Sequence, residues 1–154
     1  MPFDRLVRAV DDWARQTRRD DVLAQIGPTD WTPSHIRWER FVDPHRFLDH
    51  CRSADAIVAH AGTGSILTAM QIGKPILVMP RRAALRETRN DHQVATIERF
   101  RTMPGVEVAA DERELPEKLE KMTRAGYEPL IGRYASGQLI EAIERFIHGN
   151  LVQK

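Results

Sequence analysis

Two clusters of residues have the types and spacing to do chemistry. The first is Asp55-Ala-Ile-Val-Ala-His60-Ala-Gly62-Thr63-Gly64-Ser65, an apolar run that ends in a glycine-bearing turn and the start of a helix. Helix starts present N–H groups with no intrahelical partner and a partial positive charge, so they suit phosphate. Gly62 and Gly64, on either side of Thr63, let a diphosphate approach the backbone, and Ser65 can cap the helix or donate its hydroxyl. Tight strand–helix turns also use glycine for purely structural reasons, so the run alone is a weak signal. It is not a P-loop, because no Gly-Lys-Ser/Thr follows, and the third glycine of a dinucleotide fingerprint is replaced by Leu67.

The second cluster follows the next apolar run. Pro80 leads into Arg81-Arg82, and a polar loop ends at Arg89-Asn90-Asp91-His92-Gln93. If the two apolar runs are neighbouring strands, both loops lie beyond the carboxyl ends of the sheet, where open α/β sheets bind ligands. One loop then offers backbone donors, and the other offers Asn, Asp, His and Gln side chains able to hold sugar hydroxyls. Arg81, Arg82, Arg86 and Arg89 add positive charge, although a solvated loop accounts for Arg86 equally well and a plain N-cap accounts for Asn90. Gln93 falls in the first turn of a helix, where a ligand-facing polar side chain is expected to pack little. His60 ends a strand, as a structural histidine often does. His45 and His50 are five apart, poor helical spacing for a metal pair, and the single cysteine, Cys51, reads as helix packing. No metal site and no cofactor is expected.

The elements that must position these clusters alternate. Phe3, Leu6, Val7, Val10, Trp13 and Ala14 share one face at helical spacing, with Arg and Asp opposite. Strands are expected over Asp21–Gly27 and Ile36–Val42, then a helix over Pro44–Ser53 with Asp43 as N-cap. A buried strand at Asp55–His60, a helix at Ser65–Ile72 and a buried strand at Pro75–Pro80 follow. The series continues with a helix from Asn90 to about Thr102, a strand at Val106–Ala109 and a helix from Glu112 to about Arg124. Residues 126–137 read as a long loop, and Leu139, Ile140, Ile143, Phe146 and Ile147 mark a last amphipathic helix. This order predicts an α/β fold, a Rossmann-like parallel sheet flanked by helices. The 154 residues suit one domain, 1–154. A net charge of +1 gives no argument for nucleic acid, and a single cysteine permits no intrachain disulfide. No apolar run approaches the roughly 18 residues needed to span a bilayer, and no signal-peptide pattern opens the chain. A cytoplasmic protein is expected, tethered by something else if it works at a membrane.

At these residues the chain resembles the C-terminal half of family 28 glycosyltransferases of the GT-B fold. It is most similar to the small subunits of split exopolysaccharide glycosyltransferases. The resemblance rests on PFDRLVRAVDDWA, QIGPTD, ERFVD, ADAIVAHAGTGSILTA, GKPILVMPRRA and RNDHQVA, in order over about residues 2–97. It implies that Phe41 and Val42 line a nucleobase, that Gly62 to Ser65 hold a diphosphate, and that His92 and Gln93 contact the donor sugar and adjacent phosphate. The family expects an acidic residue on the ribose where this chain has Thr68. It also expects a central strand and a Gly/Thr loop directly before PFDRL, so the resemblance implies that the first strand of the fold is absent, either because the start is misassigned or truncated or because something else fills that slot.

The resemblance further implies transfer of a sugar from a UDP-sugar donor to a lipid-linked, polyprenyl-diphosphate acceptor, with a membrane-anchored partner subunit supplying the base. His60 is a possible helper. The helix start and the arginines can stabilise the leaving diphosphate without a metal. The place of work is the inner face of the membrane, reached through the partner, and the missing strand makes a homo-oligomer a further possibility. The rival reading is a non-catalytic nucleotide-binding subunit that stabilises or regulates a membrane partner; Thr68 and the missing strand favour it.

Overall fold

The computed structural model describes residues 1–90 and 92–124, apart from the side chains of His92, Val94 and Arg124. The loop expected at 126–137 and the last amphipathic helix lie outside the described residues. The described elements are α1 (Asp4–Thr17), β1 (Leu23–Gln25), β2 (Arg37–Glu39), α2 (Pro44–Ser53), β3 (Ile57–His60), α3 (Thr63–Gln71), β4 (Ile76–Met79), α4 (His92–Phe100), β5 (Val106–Val108) and α5 (Leu115–Arg124). A 3-10 turn at Ala83–Leu85 sits between β4 and α4.

The alternation expected from the sequence is present, with shorter strands. Helix α1 runs three residues past Ala14 and stops at Arg18, whose left-handed φ of 56° lets Arg18 and Arg19 donate to Arg15 O and Ala14 O. Asp43 caps α2 through His45 N, with Pro44 at the first helical position. The strand expected to reach Val42 ends at Glu39, and the helix expected from Asn90 is described from His92.

β4 is the centre of the layer. Its four residues are fully buried, and it pairs in parallel with β3 on one side and β5 on the other. Its side chains alternate between two cores. Leu77 and Met79 pack with Phe3, Leu6, Val10 and Trp13 of α1 and with Leu115, Leu119 and Met122 of α5. Ile76 and Val78 pack with Ile66, Ala69 and Met70 of α3 and Ile97 and Phe100 of α4. Helices thus cover both faces, which is why a parallel strand here reads as an unbroken apolar run. Each such fully buried side chain contributes about 1.5–3 kcal/mol.

The sheet is divided. β1 and β2 form a parallel pair, β3, β4 and β5 form a second sheet, and among the described residues no backbone hydrogen bond joins β1 to β3. Yet Val22 and Ala24 at β1 and Val58 of β3 pack on the same core beneath α1. The two sheets therefore share one core, to which α1 and α5 contribute. The division explains a departure from expectation: β3 is half-buried along its whole length, where a buried strand was expected. Among the described residues no strand pairs with its outer edge, in keeping with that partial exposure.

Candidate functional site

The glycine turn forms where β3 ends. His60 is registered against Met79, and Ala61 N donates to Met79 O, so the turn leaves the sheet beside the end of β4. Gly62 is the N-cap residue of α3, and no side chain caps the helix. Ser65 is the third helical residue, not the cap, because the helix starts two residues earlier than expected. The helix start leaves the N–H groups of Thr63, Gly64 and Ser65 without intrahelical acceptors.

The two glycines serve different purposes, and neither needs a positive φ. A Cβ on Gly62 would collide with the His60 ring. A Cβ on Gly64 would meet nothing within 4 Å, and Gly64 is exposed. Gly62 is thus demanded by the chain's own packing, and Gly64 leaves open space over the helix start.

The second loop leaves β4 next to this turn, as the adjacency of the strands requires. Its shape is held by Glu87, whose carboxylate accepts from Arg82 N at 3.0 Å, and whose own N–H donates to Arg82 O. Arg5 of α1 reaches across to the same carboxylate: Nε and NH2 each lie 2.8 Å from one of its oxygens. NH2 also donates to Pro80 O at 2.9 Å, and NH1 donates to Glu112 at 2.7 Å. The hydrogen bond to Glu87 chiefly raises the pKa of Arg5, and that from Arg5 chiefly lowers the pKa of Glu112.

Arg81 is half-buried, and no carboxylate is hydrogen-bonded to it among the described residues. Its NH1 donates to Glu87 O at 3.3 Å, its guanidinium lies over the Phe3 ring at 5.1 Å, and Nε is buried without a hydrogen-bond partner. Burial pulls its pKa down, against the opposing pull of Glu87. A half-buried cation at the end of a central strand, with no carboxylate hydrogen-bonded to it among the described residues, is a state an anion relieves.

Gln93 differs from expectation. It is only 5% exposed, and its Oε1 accepts from Arg81 N at 3.0 Å. The residue therefore ties the loop to α4. Asn90 is exposed and precedes the helix; Asp91 and the side chain of His92 lie outside the described residues. Phe41 is 68% exposed beyond the end of β2, and Val42 N donates to Gln25 Oε1 at 2.9 Å. Thr68 lies half-buried in α3, one turn beyond the glycines. His60 is half-buried at the end of β3. His45 is exposed, and Cys51 is buried with its thiol pKa raised by desolvation, in keeping with a packing role.

Three residues that organise the fold escaped the sequence reading. Arg5 and Glu87 are 82 positions apart, and Arg5 reads as part of the polar face of α1. Asp11, on the same helix, is buried and accepts from Ser34 N, His35 N and Ile36 N, with His35 Nδ1 at 3.1 Å. A carboxylate on a helix next to an apolar face was the available signal, but it does not name its partners.

Comparison with known proteins adds three findings. The profile of the glycosyltransferase family 28 C-terminal domain matches residues 1–130. The UDP-N-acetylglucosamine transferase subunit ALG13 of Eremothecium gossypii is 37% identical over 86 residues, which cover 55% of this chain and 40% of that protein. The glycosyltransferase of kitacinnamycin superposes with a TM-score of 0.55 at 17% identity, over 80% of this chain and 31% of that one, a likeness of fold. The chain thus spans less than half the length of the relatives it matches.

Proposed function

The chain belongs to glycosyltransferase family 28 through its C-terminal domain, and from that premise we propose that it is the donor-binding subunit of a split glycosyltransferase that uses a UDP-sugar. One observation carries the reading. The uncapped start of α3, with open space at Gly64, and the half-buried cation of Arg81 follow neighbouring strands, β3 and β4, at the same end of the sheet. Backbone donors and a half-buried arginine at the carboxyl end of a parallel sheet suit a diphosphate.

In this reading Thr63, Gly64 and Ser65 hold the diphosphate through N–H groups, and Arg81 shares its charge. Phe41 and Val42 border the nucleobase, Thr68 meets the ribose, Asn90, Asp91 and His92 contact the sugar, and Gln93 supports the donor site by holding Arg81 N. As the sugar leaves the diphosphate, charge accumulates on the phosphate oxygens, and these fixed donors stabilise it. The acceptor is a polyprenyl-diphosphate-linked saccharide, as in exopolysaccharide synthesis. A membrane-anchored partner holds it, supplies the base and keeps this chain at the inner face of the membrane. The relative named as a transferase subunit supports a divided enzyme. Among the described residues no helix is long and apolar enough to cross a membrane.

The test has two stages. Calorimetry with UDP and a panel of UDP-sugars should show binding by the chain. Transfer to a lipid-linked acceptor should then require both this chain and the membrane partner. Binding without any contribution to transfer would favour the non-catalytic subunit, and no binding to chain or complex would overturn both readings.

A further inference from the structure

We propose that Arg5 is a positioning residue, which holds the loop of residues 81–87 at the end of β4 and so places Arg81 for the diphosphate. The part that concerns the diphosphate rests on the nucleotide reading above.

Arg5 joins four parts of the chain through one planar group. Its fork meets both oxygens of Glu87, and its other contacts are Pro80 O at the end of β4 and Glu112 beyond β5. Arg5 and Glu87 side chains are 14% and 11% exposed, so the pair is largely withdrawn from water. Bidentate guanidinium–carboxylate pairs are directional as well as strong, so this one sets an orientation. Glu87 passes the constraint on: its carboxylate holds Arg82 N, its carbonyl holds Arg81 NH1, and its N–H holds Arg82 O. Between them Arg86 adopts a left-handed φ of 57°, a costly conformation for a non-glycine residue that surrounding contacts must maintain. Arg5 also lies over the Phe3 ring at 5.4 Å, the same ring that Arg81 covers. The start of α1 therefore touches the loop at both its fixed end and its cation.

The experiment compares the wild-type chain with Arg5→Lys, Glu87→Gln and the double variant. It measures UDP affinity, melting temperature and residue-resolved amide exchange. Lysine keeps the charge but cannot form the fork. Arg5→Lys should weaken UDP binding by about tenfold, the scale of a lost charged hydrogen bond. The amides of Arg82, Leu85, Arg86 and Glu87 should exchange faster while those of β4 keep their protection. Glu87→Gln should act in the same direction, and the double variant should be no worse than Arg5→Lys alone, since both remove one clamp. Uniform loss of protection with unchanged UDP affinity below the melting transition would overturn the proposal, as would additive losses. If the wild-type chain binds no UDP, the nucleotide reading fails, and unchanged loop exchange in Arg5→Lys would separately overturn the anchoring.

Discussion

The imidazole of His60 occupies the space that a side chain at Gly62 would need: a Cβ there would lie 2.6 Å from Nδ1 and closer still to Cε1. Gly62 has ordinary extended backbone angles, so the requirement is one of volume. Gly62→Ala should therefore destabilise the protein by about 1–3 kcal/mol, as overpacking does. His60→Ala in the same chain should recover much of that loss, because the two residues share one space. Denaturant unfolding of the single and double variants measures the coupling, and strictly additive effects would show that the ring moves away freely.

Gly64→Val poses the opposite case. The space over Gly64 is open, and valine is slightly better than glycine within a helix. The folded chain should keep or slightly raise its melting temperature while losing UDP binding. Equal calorimetric affinity in the folded variant would remove the Gly62–Ser65 turn from the donor site.

Gln93→Ala should impair both folding and donor binding. The side chain is buried and accepts from Arg81 N, so truncation leaves a largely desolvated N–H at a cost of about 1–3 kcal/mol. Gln93→Glu keeps an acceptor for that N–H and should restore more stability than binding, since it adds negative charge near the diphosphate. Thermal melts in parallel with calorimetry separate the two effects; identical affinities for wild type and both variants would confine Gln93 to a structural role.

Asp11 makes the stability depend on pH. Burial works against its charge, but hydrogen bonds from His35 and Ser34 outweigh that and hold its pKa below the ordinary aspartate value. A carboxylate with a lowered folded pKa contributes stability that is complete above its unfolded pKa and is lost as pH falls through the folded one. Wild-type stability should thus decline below about pH 4, and Asp11→Asn should flatten that part of the curve. Asp11→Ala, which strips an acceptor from three backbone N–H groups, should cost about 3 kcal/mol at neutral pH. Urea midpoints across pH 3–7 test both statements; parallel curves for wild type and Asp11→Asn would count against them.

The divided sheet yields a prediction about assembly. β1 and β3 flank one core without bonding to each other among the described residues. An exposed strand edge is a template for pairing, so this edge should recruit a strand, from another copy or from an added segment. A chain extended before Met1 by an apolar strand and a Gly/Thr loop should melt higher and bind UDP more tightly than the 154-residue chain. If the shorter form is a monomer by solution scattering with equal melting temperature and affinity, β1 and β3 do not frame a strand site.

The sequence by itself determined the order of elements and the location of both loops. Those depend on local properties: the helical spacing of Phe3 to Ala14, the Asp43-Pro44 start of α2, and the apolar run of β4. Each is written within a few consecutive residues, so periodicity and capping chemistry reveal it. Only the tertiary structure decided what the polar residues do there. It turned Gln93 from a free ligand-facing side chain into a tie on Arg81 N, and moved Ser65 from cap to interior. It also separated the open Gly64 from the crowded Gly62 and joined Arg5 to Glu87. A hydrogen bond between distant residues carries no periodic trace, because its geometry exists only after the sheet and helices have packed. For the same reason the division between β1 and β3 became visible only once both were seen to share one core.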